Sequence, residues 1–488
     1  MRVALLAALT ATVSASLAFH RLGANSLFGD EALYASIAHT VAAEDQWYPI
    51  YAGNARYVSK PPLSIWPMAL SFEMGGMSEV NARIGSAVGG VIVSMLLFAL
   101  GTWLVDASAG ALAALLLISA PPWLLNHGVR EGVGDVWTTF FISVALLAWV
   151  RGRIGESRGL LIAAIGAAAA GSLVKGPIVF LVLFTVGLGW EVAARVLHGR
   201  RPRVLALCGV VLASAIPFTL WVVDNTRDAA LRAYISAQFV GRHMQAVDVT
   251  HLHGITFYPH VVREAFGWWL LALSLPLLWR WLRAAELALL LPLWALLPIV
   301  TFSVSVSKLA WYLDPALPPL AMLIAIAVCL GIAQVRSRNL RYALVALVVG
   351  ALAIRIGAAW QAINATPRQT DMHRIALAYR SAKHPALYAD TPNAGSYAYR
   401  EWNYVYLNRL PREAATIPAA IDRSRCSLVV TMHPEPLLQR PDFASAATRQ
   451  LQKYDEREAD LYLIDLCGGH FTRALPSSLA TTQRLSNF

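Results

Sequence analysis

Apolar runs of about 20 residues recur along the first three quarters of this chain, and they constrain its fold more than any other feature. A run of this length crosses the hydrocarbon core of a bilayer as a helix, because the backbone polar groups must be satisfied within the segment. Hydrophobic residues make up 57% of the sequence and charged residues only 14%. A soluble protein of 488 residues would need more charge to cover its surface, so the sequence predicts a membrane protein.

Counting the apolar runs predicts about eleven transmembrane helices. The expected fold is therefore an α-helical polytopic membrane protein with external juxtamembrane loops. The first run follows Met1 and Arg2 like a signal peptide, but the many runs behind it favour an uncleaved first helix. The expected spans cover residues 3–19, 83–104, 109–125, 135–150, 159–174, 177–196, 204–223, 265–280, 285–302, 313–332 and 341–360.

Much of the positive charge lies in short loops between the apolar runs. The net charge of +11 alone would suggest a nucleic-acid partner, but short basic loops are retained in the cytoplasm and orient a membrane protein. Placing these loops inside predicts a cytoplasmic N-terminus and a periplasmic tail on a bacterial inner membrane. We therefore expect contacts with membrane lipids and none with nucleic acid. The basic residues are Arg151, Arg153, Arg158, Arg195, Arg200, Arg201, Arg203, Arg280, Arg283, Arg336, Arg338 and Arg341.

The chain is expected to contain two domains. Residues 1–360 would form the transmembrane domain, with large external loops at 20–82 and 224–264. The tail, residues 361–488, is polar enough to form a small periplasmic α/β domain. Three short segments in it have the composition of strands, and they are 386–389, 427–431 and 461–464.

The four cysteines are dispersed along the chain. Cys426 and Cys467 could form a disulfide if the tail is periplasmic, although the sequence does not establish that they lie close together. Cys208 and Cys329 lie in apolar runs and are most simply small core residues. No pair has the spacing of a metal site.

The first external loop contains charged residues that suit a reaction centre. Asp30 and Glu31 are adjacent carboxylates just beyond a predicted span, and a carboxylate can act as a general base for an acceptor hydroxyl. Lys60 lies in a proline-stiffened segment at the membrane surface, where an ammonium group suits a phosphate. Alternatively, Asp30 caps the following helix and Lys60 contacts lipid headgroups. For each residue alone, this structural alternative is the better interpretation.

The order of these residues is more specific than any one of them. It resembles the first external loop of bacterial lipid A aminoarabinose transferases, and also that of bacterial relatives of protein O-mannosyltransferases. Both groups are C-type glycosyltransferases, multispan enzymes that use lipid-phosphate sugars. The resemblance covers residues 1–360. Its motifs are Gly29-Asp30-Glu31 with Tyr34-Ala35, Trp47 with Pro49, Lys60-Pro61-Pro62-Leu63, Arg130 before Asp135, Lys175-Gly176-Pro177, and Lys308-Leu309 with Tyr312, Pro315 and Pro318.

The resemblance implies an inverting transfer of sugar from a polyprenyl-phosphate carrier to a lipid A, glycan or protein acceptor. In that reaction Asp30 would be the base, Glu31 would orient the site, and Asp135 would be a second acid that orients Arg130 or the acceptor. Fixed cations would stabilise the negative charge that develops on the departing phosphate. Lys175 would bind substrate or, equally, be a snorkelling lysine at a span end. The expected phosphate- or substrate-binding residues are Lys60, Arg130, Lys308, Tyr312, Lys175, Tyr57 and Arg242.

Histidines in the second external loop raise the question of a metal. His251, His253 and His260 lie close in sequence, but His251 and His253 do not share a helix face, and no nearby acid or cysteine completes a ligand set. The position before the motif lysine often carries Glu in the family, whereas this chain has Ser59. We therefore expect the histidines to contact substrate or headgroups and no cofactor to be required, with a divalent metal as the less favoured alternative.

Two other classes of protein compete with the enzyme interpretation. A transporter or flippase generally places ionisable residues or broken helices near the membrane midplane, whereas the unusual charges here lie in loops on one side. A sensor with a periplasmic binding domain needs only an anchor, not about eleven spans. The sequence leaves open whether the sugar is aminoarabinose, mannose, another hexose or a pentose.

Overall fold

The computed structural model describes residues 1–52, 55–227, 229–236, 251–284 and 286–365, with short stretches of the tail between 374 and 473. The described chain is mostly helical. Seven of its helices are long and apolar enough to cross a membrane, and a bent helix pair adds an eighth if it counts as one span. The prediction of a polytopic helical membrane protein is confirmed.

The seven helices that are long and apolar enough to cross a membrane are spread between residues 2 and 364. One span combines a 3-10 helix, Ala310–Ala316, with the α-helix that directly follows it, Leu317–Ala333. The spans are α1 (Arg2–Phe19), α4 (Glu79–Leu104), α8 (Arg158–Lys175), α9 (Ile178–His198), α10 (Val204–Asn225), Ala310–Ala333, which contains α15 (Leu317–Ala333), and α16 (Arg338–Asn364).

The other described elements of this region are shorter or more polar. They are α2 (Gly29–Glu44), α3 (Trp66–Gly75), α5 (Ala107–Ile118), α6 (Pro121–Leu125), α7 (Asp135–Ile154), α11 (Ala229–Ser236), α12 (Phe257–Phe266), α13 (Pro276–Ala284), α14 (Leu290–Ser303), the strands β1 (Tyr51–Ala52) and β2 (Ala55–Arg56), and 3-10 helices at Pro62–Ser64 and Gly267–Ser274.

Three expected spans differ from the helices of the structure. The run 109–125 is broken after Ile118, because Pro121 starts a new helix and Ser119 Oγ donates to the Leu115 carbonyl at 2.6 Å. The run 265–280 is part of the bent pair, Phe257–Ser274 and Pro276–Ala284, whose halves differ by 81° in direction at the proline. The run 285–302 overlaps a helix of only 14 residues, Leu290–Ser303.

Close approach of backbones joins α4 to α5. A Cβ added to Gly101 would lie 2.6 Å from the Gly110 Cα atom, so any larger residue there would push the helices apart. In a bilayer, such small residues promote helix association because van der Waals contact replaces the missing hydrophobic drive. The same core includes the buried face of α15, with Leu320 and Ile324.

Arg355 ties the exposed helix α16 to the rest of the bundle. Its Nε donates to Ser119 Oγ at 2.9 Å, and one Nη donates to the carbonyls of Leu116 and Ala265. Those carbonyls lie in the last turns of α5 and α12, where backbone acceptors lack intrahelical partners. The arginine therefore satisfies two helix ends with one cation.

A buried ion pair fixes the C-terminal end of α7. Arg153 Nε donates to Glu191 Oε1 at 2.6 Å, and both side chains are almost fully buried. Glu191 also accepts from the Arg203 backbone N–H at 3.0 Å, and Arg153 donates to the Arg201 carbonyl at 3.1 Å. This network joins α7, α9 and the basic loop before α10.

The described chain divides into two compact units, and the second combines Ala24–His39 with the tail from Pro367. Its described strands are β3 (Ala386–Ala389), β4 (Arg412–Glu413), β5 (Ser427–Thr431), β6 (Ala447–Gln450) and β7 (Tyr462–Asp465), in the sheet order β4-β3-β5-β7-β6.

Within that sheet, β3 pairs in parallel with β4 and β5, while β7 pairs antiparallel with β5 and β6. Val429 opposite Ile464 forms its small core. Cys467 is disulfide-bonded, and Cys426 lies outside the described residues. Cys208 and Cys329 are free. The two-domain boundary at 360 stays a prediction.

We predict that Glu191→Ala destabilises the protein by about 3–5 kcal/mol, because Arg153 would remain buried without a counter-charge. The measurement is unfolding of the purified protein in detergent. Glu156→Ala is the matched control, because Glu156 is 73% exposed and its ion pair with Arg203 is long, at 3.5 Å. We expect a loss of about 1 kcal/mol or less there. Equal losses in the two variants would contradict this account of the network.

Candidate active site

An ion pair between Asp135 and Lys175 forms the centre of the candidate site. Asp135 is the first residue of α7, and Lys175 is the last residue of the neighbouring helix α8. Each charge therefore lies at the helix end whose dipole favours it. The side chains are only 10% and 11% exposed, and the Lys175 ammonium donates directly to Asp135 Oδ1. A lysine that only snorkels would keep its ammonium in water, whereas this one is paired.

Tyr312 covers the same lysine. It lies in the 3-10 helix Ala310–Ala316, and the Lys175 Nζ atom is 5.2 Å from the centre of its ring. A cation at this distance is attracted by the electrons of the ring face. Lys175 is thus held by a carboxylate on one helix and an aromatic ring on another element.

A second carboxylate, Asp314, lies on the Tyr312 helix, and the sequence interpretation missed it. Asp314 is 1% exposed, and its Oδ2 atom has no hydrogen-bond partner among the described residues. Asp314 is two residues after Tyr312, whose ring contacts Lys175, so it lies near the ion pair. Asp135, Lys175 and Glu131 are near enough to act on it electrostatically. The sequence did contain a signal, because Asp314 lies at the start of an apolar run. An ionisable residue at such a position is energetically unfavourable and usually has a functional role.

The segment that follows Lys60 reaches the backbone beside the ion pair. A Cβ added to Gly134 would lie 2.7 Å from Val174 and 3.7 Å from Ser64, so these three residues are close neighbours. Ser64 ends the 3-10 helix Pro62–Ser64, which begins directly after the Lys60-Pro61 step. Lys60 itself is half-buried, and Tyr57 is buried. The structure thus brings the Lys60 segment, Asp135, Lys175 and Tyr312 to the same helix ends.

Lys308 is held in place by hydrogen bonds to backbone carbonyls. Its buried Nζ atom donates to the Ser305 carbonyl at 2.6 Å, and its backbone N–H donates to the His251 carbonyl at 3.0 Å. His251 Nδ1 also lies 3.2 Å from Ser307 Oγ. A candidate substrate histidine is therefore joined to the segment that leads into Tyr312.

Arg130 supports the end of α1. Its guanidinium donates to the carbonyls of Leu17 at 2.8 Å, Ala18 at 3.0 Å and Arg21 at 3.2 Å. Burial, with the neighbouring cations Arg83 and Arg21, lowers the pKa of Arg130 to about 10, so it stays charged at neutral pH. These contacts give it a structural task that the motif did not indicate.

The tryptophan-proline motif of the first loop is anchored at the end of α10. Tyr48 Oη donates to Asp224 Oδ2 at 2.5 Å, and an Arg56 Nη atom donates to the same oxygen at 2.5 Å. Burial and the hydrogen bond to Asp224 raise the pKa of the Tyr48 hydroxyl. Asp224 is a further acid that the sequence interpretation did not single out.

Asp30 and Glu31 belong to the second compact unit. They lie in the first turn of α2, where Asp30 Oδ2 accepts from Tyr34 Oη at 3.4 Å and Glu31 is 4% exposed. Arg242 lies outside the described residues. Among the residues that are described, no group of three or more His, Cys, Asp or Glu side chains could hold a metal ion.

Comparison with known proteins gives matches of three kinds. Residues 59–221 match a family described as dolichyl-phosphate-mannose-protein mannosyltransferase, and this range contains Lys60, Arg130, Asp135 and Lys175. An undecaprenyl phosphate-alpha-4-amino-4-deoxy-L-arabinose arabinosyl transferase from Pseudomonas aeruginosa is 29% identical over 60% of this chain and 54% of its own length. A second such transferase, from Pseudomonas fluorescens, is 26% identical over 67% of this chain and 56% of its own length.

The fold is similar to that of two solved structures. The crystal structure of ArnT from Cupriavidus metallidurans bound to undecaprenyl phosphate matches with a TM-score of 0.69 and 17% identity, over 95% of this chain and 98% of that one. The archaeal oligosaccharyltransferase AglB from Archaeoglobus fulgidus matches with a TM-score of 0.53 and 14% identity, over 86% of this chain and 62% of that one.

The chain is similar to these transferases over part of their length. The family resemblance predicted from the motifs is thereby confirmed, and four of the candidate residues lie within the matched range of the family. The chain spans about half the length of the curated relatives that it matches, 54% of one and 56% of another.

Proposed function

We propose that this chain is an inverting glycosyltransferase that takes sugar from a polyprenyl-phosphate carrier and transfers it to a lipid A, glycan or protein acceptor. The observation that carries the proposal is the Asp135–Lys175 ion pair covered by Tyr312, beside the segment that follows Lys60. The names of the curated relatives, which are undecaprenyl phosphate-aminoarabinose transferases, support a lipid-phosphate donor. The transporter alternative is not favoured, because the relatives are transferases.

In the proposed reaction, an acceptor oxygen or nitrogen attacks the anomeric carbon while the bond from that carbon to the phosphate oxygen breaks. The electron pair leaves with the phosphate, and a carboxylate removes the acceptor proton. We assign that base role to Asp30 and an orienting role to Glu31, as the family resemblance implies. Asp135 would orient the acceptor, and Lys60, with Lys308 and Tyr312 assisting, would bind the phosphate.

The cationic side chains would act mainly on the transition state. Negative charge grows on the phosphate as the sugar leaves, so an ammonium held in place beforehand stabilises that charge without reorganisation. Tyr57 and Arg242 remain proposed substrate contacts. We propose that no cofactor is required.

The finer membrane arrangement is also a proposal. We infer about eleven spans in a bacterial inner membrane, a cytoplasmic N-terminus and a small α/β tail domain in the periplasm. The support is the charge of the short loops, since basic loops are retained in the cytoplasm.

Labelling with an impermeant thiol reagent tests this orientation. In a background with Cys208 and Cys329 replaced by Ser, Arg201→Cys should stay unlabelled in cells with a permeabilised outer membrane, because its loop is cytoplasmic. Ile255→Cys is the external control and should be labelled, since Ile255 is 73% exposed in the second external loop. Labelling at 201 without labelling at 255 would reverse the orientation.

The activity test is sugar release from a purified polyprenyl-phosphate donor in detergent. Asp30→Asn should lower turnover by roughly two to four orders of magnitude, the usual contribution of a positioned base. Folding should be preserved, because Asn tolerates the start of a helix about as well as Asp. Glu31→Gln is the matched control, and we expect a smaller loss. An active Asp30→Asn with an inactive Asp135→Asn would move the base role to Asp135, and activity in both would contradict the proposed enzyme.

A further inference from the structure

We propose that Asp314 is a positioning residue that accepts the Lys175 ammonium in place of Asp135 while Asp135 engages the substrate. This inference rests on the proposed glycosyl transfer and adds a residue that the motifs did not include. It concerns which carboxylate holds the lysine at each stage of the reaction.

Asp314 is buried without a full set of hydrogen-bond partners among the described residues. A 1% exposed carboxyl whose Oδ2 atom has no hydrogen-bond partner in the described part of the chain is costly, because nothing replaces the water it has lost. Its neighbours in sequence, Leu313 and Pro315, are buried as well, and a leucine would fill such a position without that cost. A purely structural role therefore does not account for an acid at this place.

Asp314 lies near the ammonium group that it would accept. Tyr312, two residues before Asp314 on the same 3-10 helix, contacts the lysine. Asp135 and Lys175 are near enough to act on Asp314 electrostatically. Glu131 also acts on Asp314 electrostatically, but its Oε2 atom accepts a hydrogen bond from the His127 backbone N–H at 3.0 Å. Asp314 is thus the acid whose Oδ2 atom can still gain a donor.

The ammonium group of Lys175 can bind more than one carboxylate. A lysine has three rotatable donors, and one of them is used by Asp135 Oδ1. When Asp135 turns to a substrate hydroxyl, Lys175 would lose its counter-charge in a poorly hydrated place, which is unfavourable. Transfer of the ammonium to Asp314 keeps it paired, and the Asp135 carboxylate becomes available. No covalent bond changes in this exchange.

The test compares stability with catalysis in Asp314→Leu. We expect equal or higher thermal stability, because the unpartnered acid is removed, together with a fall in kcat of about 10- to 100-fold from misplacement of Asp135 and Lys175. The KM for the polyprenyl-phosphate donor should change little. Asp314→Asn, which keeps the shape, should show an intermediate kcat and serves if the leucine variant does not fold. Unchanged kcat in a folded Asp314→Leu or Asp314→Asn would overturn the proposal.

A double-mutant cycle separates this proposal from the proposed function. The thermal stabilities of Asp135→Asn, Asp314→Leu and the combined variant are compared with the parent. Because Asp135→Asn removes the carboxylate that holds Lys175 in the resting protein, Asp314 should become the counter-charge of the lysine there. Asp314→Leu should therefore destabilise the Asp135→Asn protein although it does not destabilise the parent, even if the parent transfers no sugar, in which case only the proposed function would fail. Additive changes would overturn the role of Asp314, whatever the activity.

Discussion

The ion pair between Asp135 and Lys175 organises the part of the molecule where chemistry is proposed. Two opposite charges at helix ends, each about one-tenth exposed, require each other because little water is present to stabilise either alone. Their pairing fixes the start of α7 against the end of α8. The Tyr312 ring and the segment after Lys60 lie around that junction, and the buried Asp314 is close enough to interact electrostatically with the ion pair.

Much of this arrangement could be predicted from the sequence, because membrane physics and a family motif each leave a local signature. The apolar run of α4 predicts a span directly, since about twenty consecutive apolar residues match the thickness of the hydrocarbon core. Asp135 and Lys175 were singled out by their place at the ends of such runs and by the motif. The strands Ser427–Thr431 and Tyr462–Asp465 also coincide with predicted segments, within one residue.

The features that could not be predicted from the sequence depend on contacts between residues that are distant along the chain. The hydrogen bonds from Arg130 to the Leu17 and Ala18 carbonyls of α1 have no sequence signal, because they join positions 113 and 112 residues apart. The break at Ser119 was hidden inside a continuous apolar run, where a proline is often tolerated. Asp314 was overlooked because a single acid near a motif carries no meaning until its burial and neighbours are known.

The central claim is that these helix ends bind a lipid phosphate, and titration of the purified protein with undecaprenyl phosphate tests it most directly. We expect saturable binding that Lys60→Ala weakens by about 1.5–3 kcal/mol, the range for a hydrogen bond to a charged group. Arg232→Ala should leave the affinity unchanged, because that exposed arginine contacts only the Thr226 carbonyl in the described contacts. Equal affinity in the parent and in Lys60→Ala would contradict the claim.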